Sequence, residues 1–193
     1  KVHTNQMRIA TNSSKIDISK ENKTASLAKI FSTFLNNGDI VFLHGEIGAG
    51  KTTFVKYLIN YLQLRSKKSL SEVTSPTFNI MNEYQIKNLI INHFDLFRIE
   101  KTKDLQNIGL FNDQKSKLTL VEWPEKIISK PRDRYELFFK FNKNTNKRFI
   151  KIKKIIFDLE IKENLGENKY VQIKGDASFR TFLRKSKGKQ SSI

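Results

Sequence analysis

A glycine-rich octet constrains the fold of this chain more than any other feature of its sequence. Residues 45–52 read Gly-Glu-Ile-Gly-Ala-Gly-Lys-Thr and match the phosphate-binding pattern G-x-x-x-x-G-K-[ST] at every fixed position. Such a loop lies between a buried strand and a helix. The apolar residues 40–43 precede it, and apolar residues recur at helical spacing after it. The octet, called the P-loop below, therefore predicts an α/β fold that binds a nucleotide.

The chemistry of phosphate binding explains why these residue types stand at this spacing. Gly48 and Gly50 let the backbone curl so that successive N–H groups point at phosphate oxygens. Lys51 brings a positive charge to the β- and γ-phosphates, which makes it a catalytic candidate, and Thr52 offers a hydroxyl to Mg²⁺. The residues expected to contact the nucleotide here are Glu46, Gly48, Ala49, Gly50, Lys51, Thr52 and Thr53.

A nucleotide site of this type also needs an acidic group at a strand end to hold the hydration shell of Mg²⁺. The sequence offers two candidates, since Glu122 closes the apolar run of residues 118–121 and Asp95 closes that of residues 90–94. Either acid could instead be a surface residue at a strand end. Because two acids each close an apolar run, we favour a functional role for them.

Two further residues beside these acids are open to more than one interpretation. His93 stands alone near a strand end, which is more typical of a structural histidine than of a catalytic one. Trp123, the only tryptophan, could stack on a nucleotide base or on a partner surface, and it could equally pack against Pro124. We include Trp123 among the candidate nucleotide contacts.

Hydrophobic periodicity places the P-loop in a three-layer α/β domain. A helix is predicted over residues 26–35, with Thr24 as its N-cap and Gly38 just after its end. A second helix follows the P-loop. The other predicted elements are a strand hairpin at 77–84 and 89–94, a short helix at 102–110, and strands at 117–122, 135–142 and 148–157.

Composition limits the remaining classes of function. The chain of 193 residues has no Cys, which excludes disulfides and cysteine zinc sites and favours a reducing compartment, so we expect a cytoplasmic protein. No run is long and apolar enough to cross a membrane.

Residues 140–193 hold 15 Lys or Arg against 5 Asp or Glu, so they carry much of the net charge of +17. We expect one P-loop domain over residues 1–160 and a basic, flexible segment over residues 161–193.

Four segments in this order resemble the TsaE family. They are the P-loop with Thr53, Ser-Pro-Thr-Phe at 75–78, His-Phe-Asp-Leu-Phe-Arg at 93–98, and Val-Glu-Trp-Pro-Glu at 121–125. The resemblance extends over residues 24–155. It implies a P-loop ATPase with a mixed, largely parallel sheet. It also implies association with TsaD and TsaB in making threonylcarbamoyladenosine on tRNA, with only indirect contact to the tRNA.

The resemblance also implies roles for single residues. Asp95 would position or activate the attacking water, and Thr52 and Glu122 would hold Mg²⁺. Thr24 would touch the ATP. The four residues Ser75, Pro76, Thr77 and Phe78, called the switch loop below, would lie near the γ-phosphate.

The chain departs from the family pattern in three places. Phe97 replaces the usual Tyr, so a phenolic hydroxyl is missing, and Glu46 stands where Asp is usual. Residues 175–184 resemble the opening of aminoglycoside-phosphotransferase-like kinases, but the chain that follows is too short for a catalytic lobe. They are either the remnant of a fused kinase or part of a basic flexible tail, and no kinase activity is expected from them.

Two other functions fit parts of the sequence. A small-molecule kinase would use the same P-loop with a basic lid, for which Arg132 and Arg134 are the clustered candidates. A basic RNA-binding module would use the positive charge directly, and its affinity would fall steeply with salt.

Overall fold

The computed structural model describes residues 15–100, 104–105, 108–155, 170–173 and 182–185. These residues contain a seven-stranded sheet with the strand order β1-β7-β6-β2-β5-β4-β3. Two α-helices, α1 and α2, precede and follow the second strand. The elements are β1 Ile16–Asp17, α1 Glu21–Ser32, β2 Ile40–His44, α2 Lys51–Arg65, β3 Met81–Ile86, β4 Leu89–Asp95, β5 Lys117–Glu122, β6 Arg134–Asn142, β7 Lys147–Ile155, β8 Tyr170–Ile173 and β9 Phe182–Lys185.

The centre of the sheet is parallel and its flanks are antiparallel. Strands β6, β2, β5 and β4 run in one direction, whereas β3 and β7 run against their neighbours. Asp95 pairs with Glu122 across β4 and β5, and Leu43 at the end of β2 pairs with Glu122 from the other side. The P-loop and both predicted acids therefore meet at the carboxyl edge of the sheet, where ligands bind in open α/β folds.

Alternating side chains of the central strand divide the core into two layers. Val41 and Leu43 face a large cluster that includes the buried sides of α1 and α2. Ile40 and Phe42 face a smaller cluster, which Leu96, Ile99, Leu110 and Ile127 from the connecting segments complete. The predicted three-layer α/β arrangement thus has helices on one face, while connecting segments cover the other face in the described part of the chain.

The first helix begins earlier than predicted. Helix α1 begins at Glu21, and Lys20 is its N-cap. Thr24 is therefore not the N-cap but lies inside the helix, where its buried hydroxyl donates to the carbonyl oxygen of Ile18 at 3.2 Å. Polar residues in the first turn carry no apolar periodicity, so the pattern showed only the later turns of the helix.

The hairpin is present, but its first strand begins at Met81 rather than at residue 77. Residues 77–79 form a turn, and Ile80 has a positive φ of 67°. β-branched and aromatic residues in this stretch suggested a strand, although the chain turns here towards Asp95. The two-residue strand β1 was not predicted, because two residues are too few to show alternation. The helix predicted at 102–110 lies partly outside the described residues.

The C-terminal segment is only partly described. Strands β8 and β9 pair antiparallel in a separate two-stranded sheet. Residues 174–181 lie outside the described residues, so the kinase-like stretch and the flexibility predicted for residues 161–193 stay predictions. Among the helices that the structure describes, none has the length and apolar character needed to cross a bilayer.

Candidate functional site

The P-loop has the backbone conformation that its glycines predict. Gly45, Gly48 and Gly50 have φ values of 141°, 78° and 103°, in the region that residues with a side chain rarely adopt. A Cβ on Gly45 would lie only 2.6 Å from the carbonyl oxygen of Phe139. A Cβ on Gly48 would meet nothing within 4 Å, because this residue borders open space. Glycine is thus needed for close packing at Gly45 and for the backbone turn at Gly48 and Gly50.

A cavity of about 380 Å³ opens above the P-loop. Residues from the P-loop, the switch loop and the ends of β4 and β5 line it. Ten of the predicted site residues meet there: Gly48, Gly50, Lys51, Thr52, Thr53, Ser75, Thr77, Asp95, Glu122 and Trp123. Ile47 and Phe97 complete the lining. The four segments that carry the sequence pattern therefore converge on one cavity.

Lys51 is the cation of this cavity. Its ammonium donates to the carbonyl oxygens of Gly45 at 2.6 Å and Glu46 at 3.0 Å, and it lies 4.0 Å from the ring centroid of Trp123. Burial lowers the pKa of Lys51, and the negative charges of Glu122 and other nearby acids oppose that shift in part. The ammonium is held without a bonded carboxylate among the described residues, which suits it to receive an anion.

Glu122 lies beside the P-loop with two partners. The hydroxyl of Thr52 donates to its Oε1 at 2.9 Å, and Nε2 of His93 lies 2.9 Å from the same oxygen. His93 is fully buried and Glu122 is 2% exposed. The buried histidine thus orients the carboxylate towards Thr52, which agrees with a structural role for His93.

Asp95 ties the switch loop to the end of β4. Its Oδ2 accepts hydrogen bonds from the hydroxyls of Ser75 and Thr77, the latter at 2.9 Å. Its Oδ1 accepts from the backbone N–H of Phe97 at 2.9 Å. Ser75 and Thr77 are also 2.7 Å apart, hydroxyl to hydroxyl. One buried carboxylate therefore organises both hydroxyls of the loop and faces the cavity.

The segment after β5 is fixed to the strand before the P-loop. Trp123 has a φ of 59°, and its N–H donates to the carbonyl oxygen of Leu43 at 3.3 Å. Glu125 bonds to Nδ1 of His44 at 2.7 Å. Burial pushes the pKa of Glu125 upwards, but the hydrogen bond from His44 and nearby positive charges outweigh it, so the pKa falls below its ordinary value. The hydrogen bonds of Trp123 to Leu43 and of Glu125 to His44 hold the Trp123 ring over Lys51.

Most of the chain matches the model of a known protein family. The match covers residues 18–150, and the family is described as "Threonylcarbamoyl adenosine biosynthesis protein TsaE". The chain belongs to the TsaE family. The resemblance inferred from the four segments is thus confirmed, whereas no comparison supports the kinase-like reading of residues 175–184.

Relatives within the TsaE family come from several bacteria and carry the name tRNA threonylcarbamoyladenosine biosynthesis protein TsaE. The Rickettsia typhi protein is 34% identical over 146 residues, covering 73% of this chain and 96% of that protein. The Rickettsia conorii protein is also 34% identical, but the match covers 57% of this chain and only 61% of that protein. The Bacillus subtilis protein is 35% identical over 120 residues.

A solved structure supports the same assignment. The crystal structure of Bacillus subtilis YdiB aligns with a TM-score of 0.57 and 25% sequence identity, covering 75% of this chain and 86% of YdiB. The predicted P-loop NTPase fold with a mixed, largely parallel sheet is confirmed.

Five predicted site residues lie outside the cavity lining. Thr24 is buried in α1 with its hydroxyl bonded to Ile18, and Ala49 is buried in the core on the helix side. Pro76, within the switch loop, is buried. Phe78 is 80% exposed and lies under the guanidinium of Arg98. The side chain of Glu46 is half-exposed and faces the Lys143 ammonium at 4.0 Å.

Sequence reasoning missed three residues at the site. Ile47 and Phe97 line the cavity although neither has polar chemistry to mark it. Arg148 comes from β7 and donates from Nε to the carbonyl oxygen of Gly48 at 3.2 Å. It stands in a basic stretch of the sequence, so charge alone could not distinguish it from its neighbours.

Proposed function

We propose that this TsaE-family chain binds and hydrolyses magnesium-ATP, and that its turnover supports the formation of threonylcarbamoyladenosine on tRNA together with TsaD and TsaB. One observation carries the proposal: the Lys51 ammonium, the Thr52 hydroxyl and the carboxylates of Asp95 and Glu122 all face a single cavity above the P-loop. The names of the relatives support the link to tRNA modification.

The residues at the P-loop fit a magnesium nucleotide. Lys51 and the N-terminal end of α2 supply positive charge for the phosphates. Burial lowers the pKa of Lys51, and a bound anion would oppose that shift by favouring the charged form. The Thr52 hydroxyl and the Glu122 carboxylate, 2.9 Å apart, are the hard oxygen ligands that Mg²⁺ prefers. When bound, Mg²⁺ supplies charge neutralisation for the β- and γ-phosphates.

Asp95 is the proposed acid for hydrolysis. A water that binds its Oδ2 would displace the hydroxyl of Ser75 or of Thr77, whereas Oδ1 accepts only the Phe97 N–H among the described residues and can take a water without disturbing the loop. Where the water binds Oδ2, its activation and the release of the switch loop are coupled through that oxygen. We infer that the switch loop reports the state of the nucleotide to the partner subunits.

Steady-state ATP turnover, measured with and without TsaD and TsaB, tests this function. We expect slow turnover by the isolated chain and faster turnover with both partners. Lys51→Ala, assayed in parallel, controls for contaminating ATPases. Turnover that is unaffected by either partner would count against a role in the modification machinery, and so would turnover that persists in Lys51→Ala.

The alternative functions receive less support from the geometry. Arg134, a candidate for a kinase lid, begins β6 at the edge of the sheet opposite the P-loop, and its Nε donates to Glu136 at 2.7 Å. The basic RNA-binding alternative stays a prediction, as do indirect contact with tRNA and a cytoplasmic location. RNA affinity that survives Lys51→Ala and falls steeply with salt would favour direct RNA binding.

A further inference from the structure

Arg148 reaches the P-loop from the opposite flank to the two acids. Its Nε donates to the carbonyl oxygen of Gly48 at 3.2 Å, and its Cδ lies 4.0 Å from the position that a Cβ on Gly50 would take. Its guanidinium carbon lies 4.1 Å from the ring centroid of Phe141, its cross-strand neighbour on β6. These contacts fix the plane of the guanidinium directly beside the phosphate-binding loop.

The charge of Arg148 has no acidic partner within the described part of the chain. Neither an ion pair nor a second side-chain hydrogen bond joins it to another described residue. Its backbone has a separate structural task, because its N–H donates to the Ser19 hydroxyl oxygen at 3.0 Å and its carbonyl oxygen accepts from the N–H of Ile18 at 2.9 Å. A change of the side chain alone therefore leaves the β1 contacts in place.

The direction of the bound nucleotide follows from the chemistry of the P-loop. Lys51 reaches the β- and γ-phosphates, Thr52 offers its hydroxyl to Mg²⁺, and Glu122 lies on the β5 side of the loop. The phosphate tail thus ends towards β5 and β4. The nucleoside is then expected on the other flank, where β6 and β7 carry Phe141 and Arg148.

We propose that Arg148 recognises the nucleoside end of the nucleotide, with its guanidinium packed between the ring of Phe141 and the base. An arginine plane stacks on aromatic faces, and here one face already lies on Phe141. The bond to Gly48 keeps that plane at the loop. The inference rests on the proposed nucleotide binding and adds a residue that distinguishes a nucleotide from bare polyphosphate.

Calorimetric titration of the full chain tests this role with Mg-ATP, Mg-ADP and inorganic magnesium tripolyphosphate. Arg148→Gln should weaken both nucleotides about tenfold, as expected for loss of one stacking contact to a base, and should change tripolyphosphate affinity less than about twofold. Arg148→Lys retains the positive charge but not the planar guanidinium. It should therefore also lose affinity for both nucleotides while keeping its affinity for tripolyphosphate. Lys143→Gln removes a neighbouring exposed cation and should bind all three ligands like the wild type.

The possible results separate the inference from the proposed function. If the folded wild type binds neither Mg-ATP nor tripolyphosphate, the proposed function fails and the inference fails with it. If the wild type binds and Arg148→Gln binds ATP equally well, only the inference is overturned. Equal loss of ATP and tripolyphosphate in both Arg148 variants would mean that the side chain only shapes the P-loop, which also overturns it.

Discussion

Replacing Asp95 by Ala should release the switch loop while leaving the rest of the fold in place. The change removes one hydrogen bond from the Phe97 N–H and two from the hydroxyls of Ser75 and Thr77. Hydrogen bonds to a charged group contribute about 1.5–3 kcal/mol each. Because the two hydroxyls are only half-buried and can bond to water instead, we expect a total loss of about 2–4 kcal/mol, less than the sum. A domain whose free energy of unfolding is about 5–15 kcal/mol stays folded after such a loss.

Three measurements on Asp95→Ala check this reasoning. Urea unfolding gives the loss of stability, and amide hydrogen exchange over residues 74–80 should be at least about tenfold faster than in the wild type. Mg-ATP binding should persist, whereas turnover should fall about a hundredfold or more if Asp95 acts as a general base. Glu72→Ala, an exposed acid close to the loop, is the matched control and should change none of these values. Unchanged exchange over residues 74–80, or normal turnover, would refute the role given to Asp95.

Three further predictions concern the P-loop and the proposed metal ligand Glu122. Gly45→Ala should lower the free energy of unfolding by about 2–4 kcal/mol in urea titrations, because the new Cβ meets the Phe139 carbonyl and the positive φ is strained; wild-type stability would contradict the packing. Burial lowers the pKa of Lys51 from its ordinary 10.5, so its charged form destabilises the fold at neutral pH. Measured relative to Lys51→Met, which does not titrate, the stability of the wild type should therefore increase as the pH rises towards 10.5; a constant difference would contradict this. Glu122→Ala should raise the Mg²⁺ concentration needed for half-maximal turnover about tenfold or more, and an unchanged requirement would remove Glu122 from the metal site.

The parts of the fold that depend on local pattern could be predicted from the sequence. The P-loop requires a strand and a helix around it, and β2 and α2 are where that requirement places them. Glu122 and Asp95 close apolar runs, and parallel pairing of β4 and β5 brings their ends together. These features follow from residue spacing alone, which is why they could be read before the structure.

The parts that depend on contacts between distant segments could not be predicted. The bond from Arg148 to Gly48 joins residues 100 positions apart, and nothing in the basic stretch around Arg148 marks it. The residue pattern placed Thr77 and Phe78, the second half of the switch loop, in a strand, because the hydrogen bonds of the loop to Asp95 are long-range and leave no periodic signal. Thr24 was predicted as the N-cap because threonine is a common capping residue. The same residue type also occurs inside helices, so the local signal was misleading.

Titration calorimetry of the folded chain with Mg-ATP tests the central claim most directly, because the account depends on phosphates binding between the P-loop amides and Lys51. We predict one site per chain in the wild type and no measurable heat of binding in Lys51→Ala, whose circular dichroism should match the wild type. A folded wild type that gives no heat with Mg-ATP, or a Lys51→Ala variant that binds it equally well, would contradict the account.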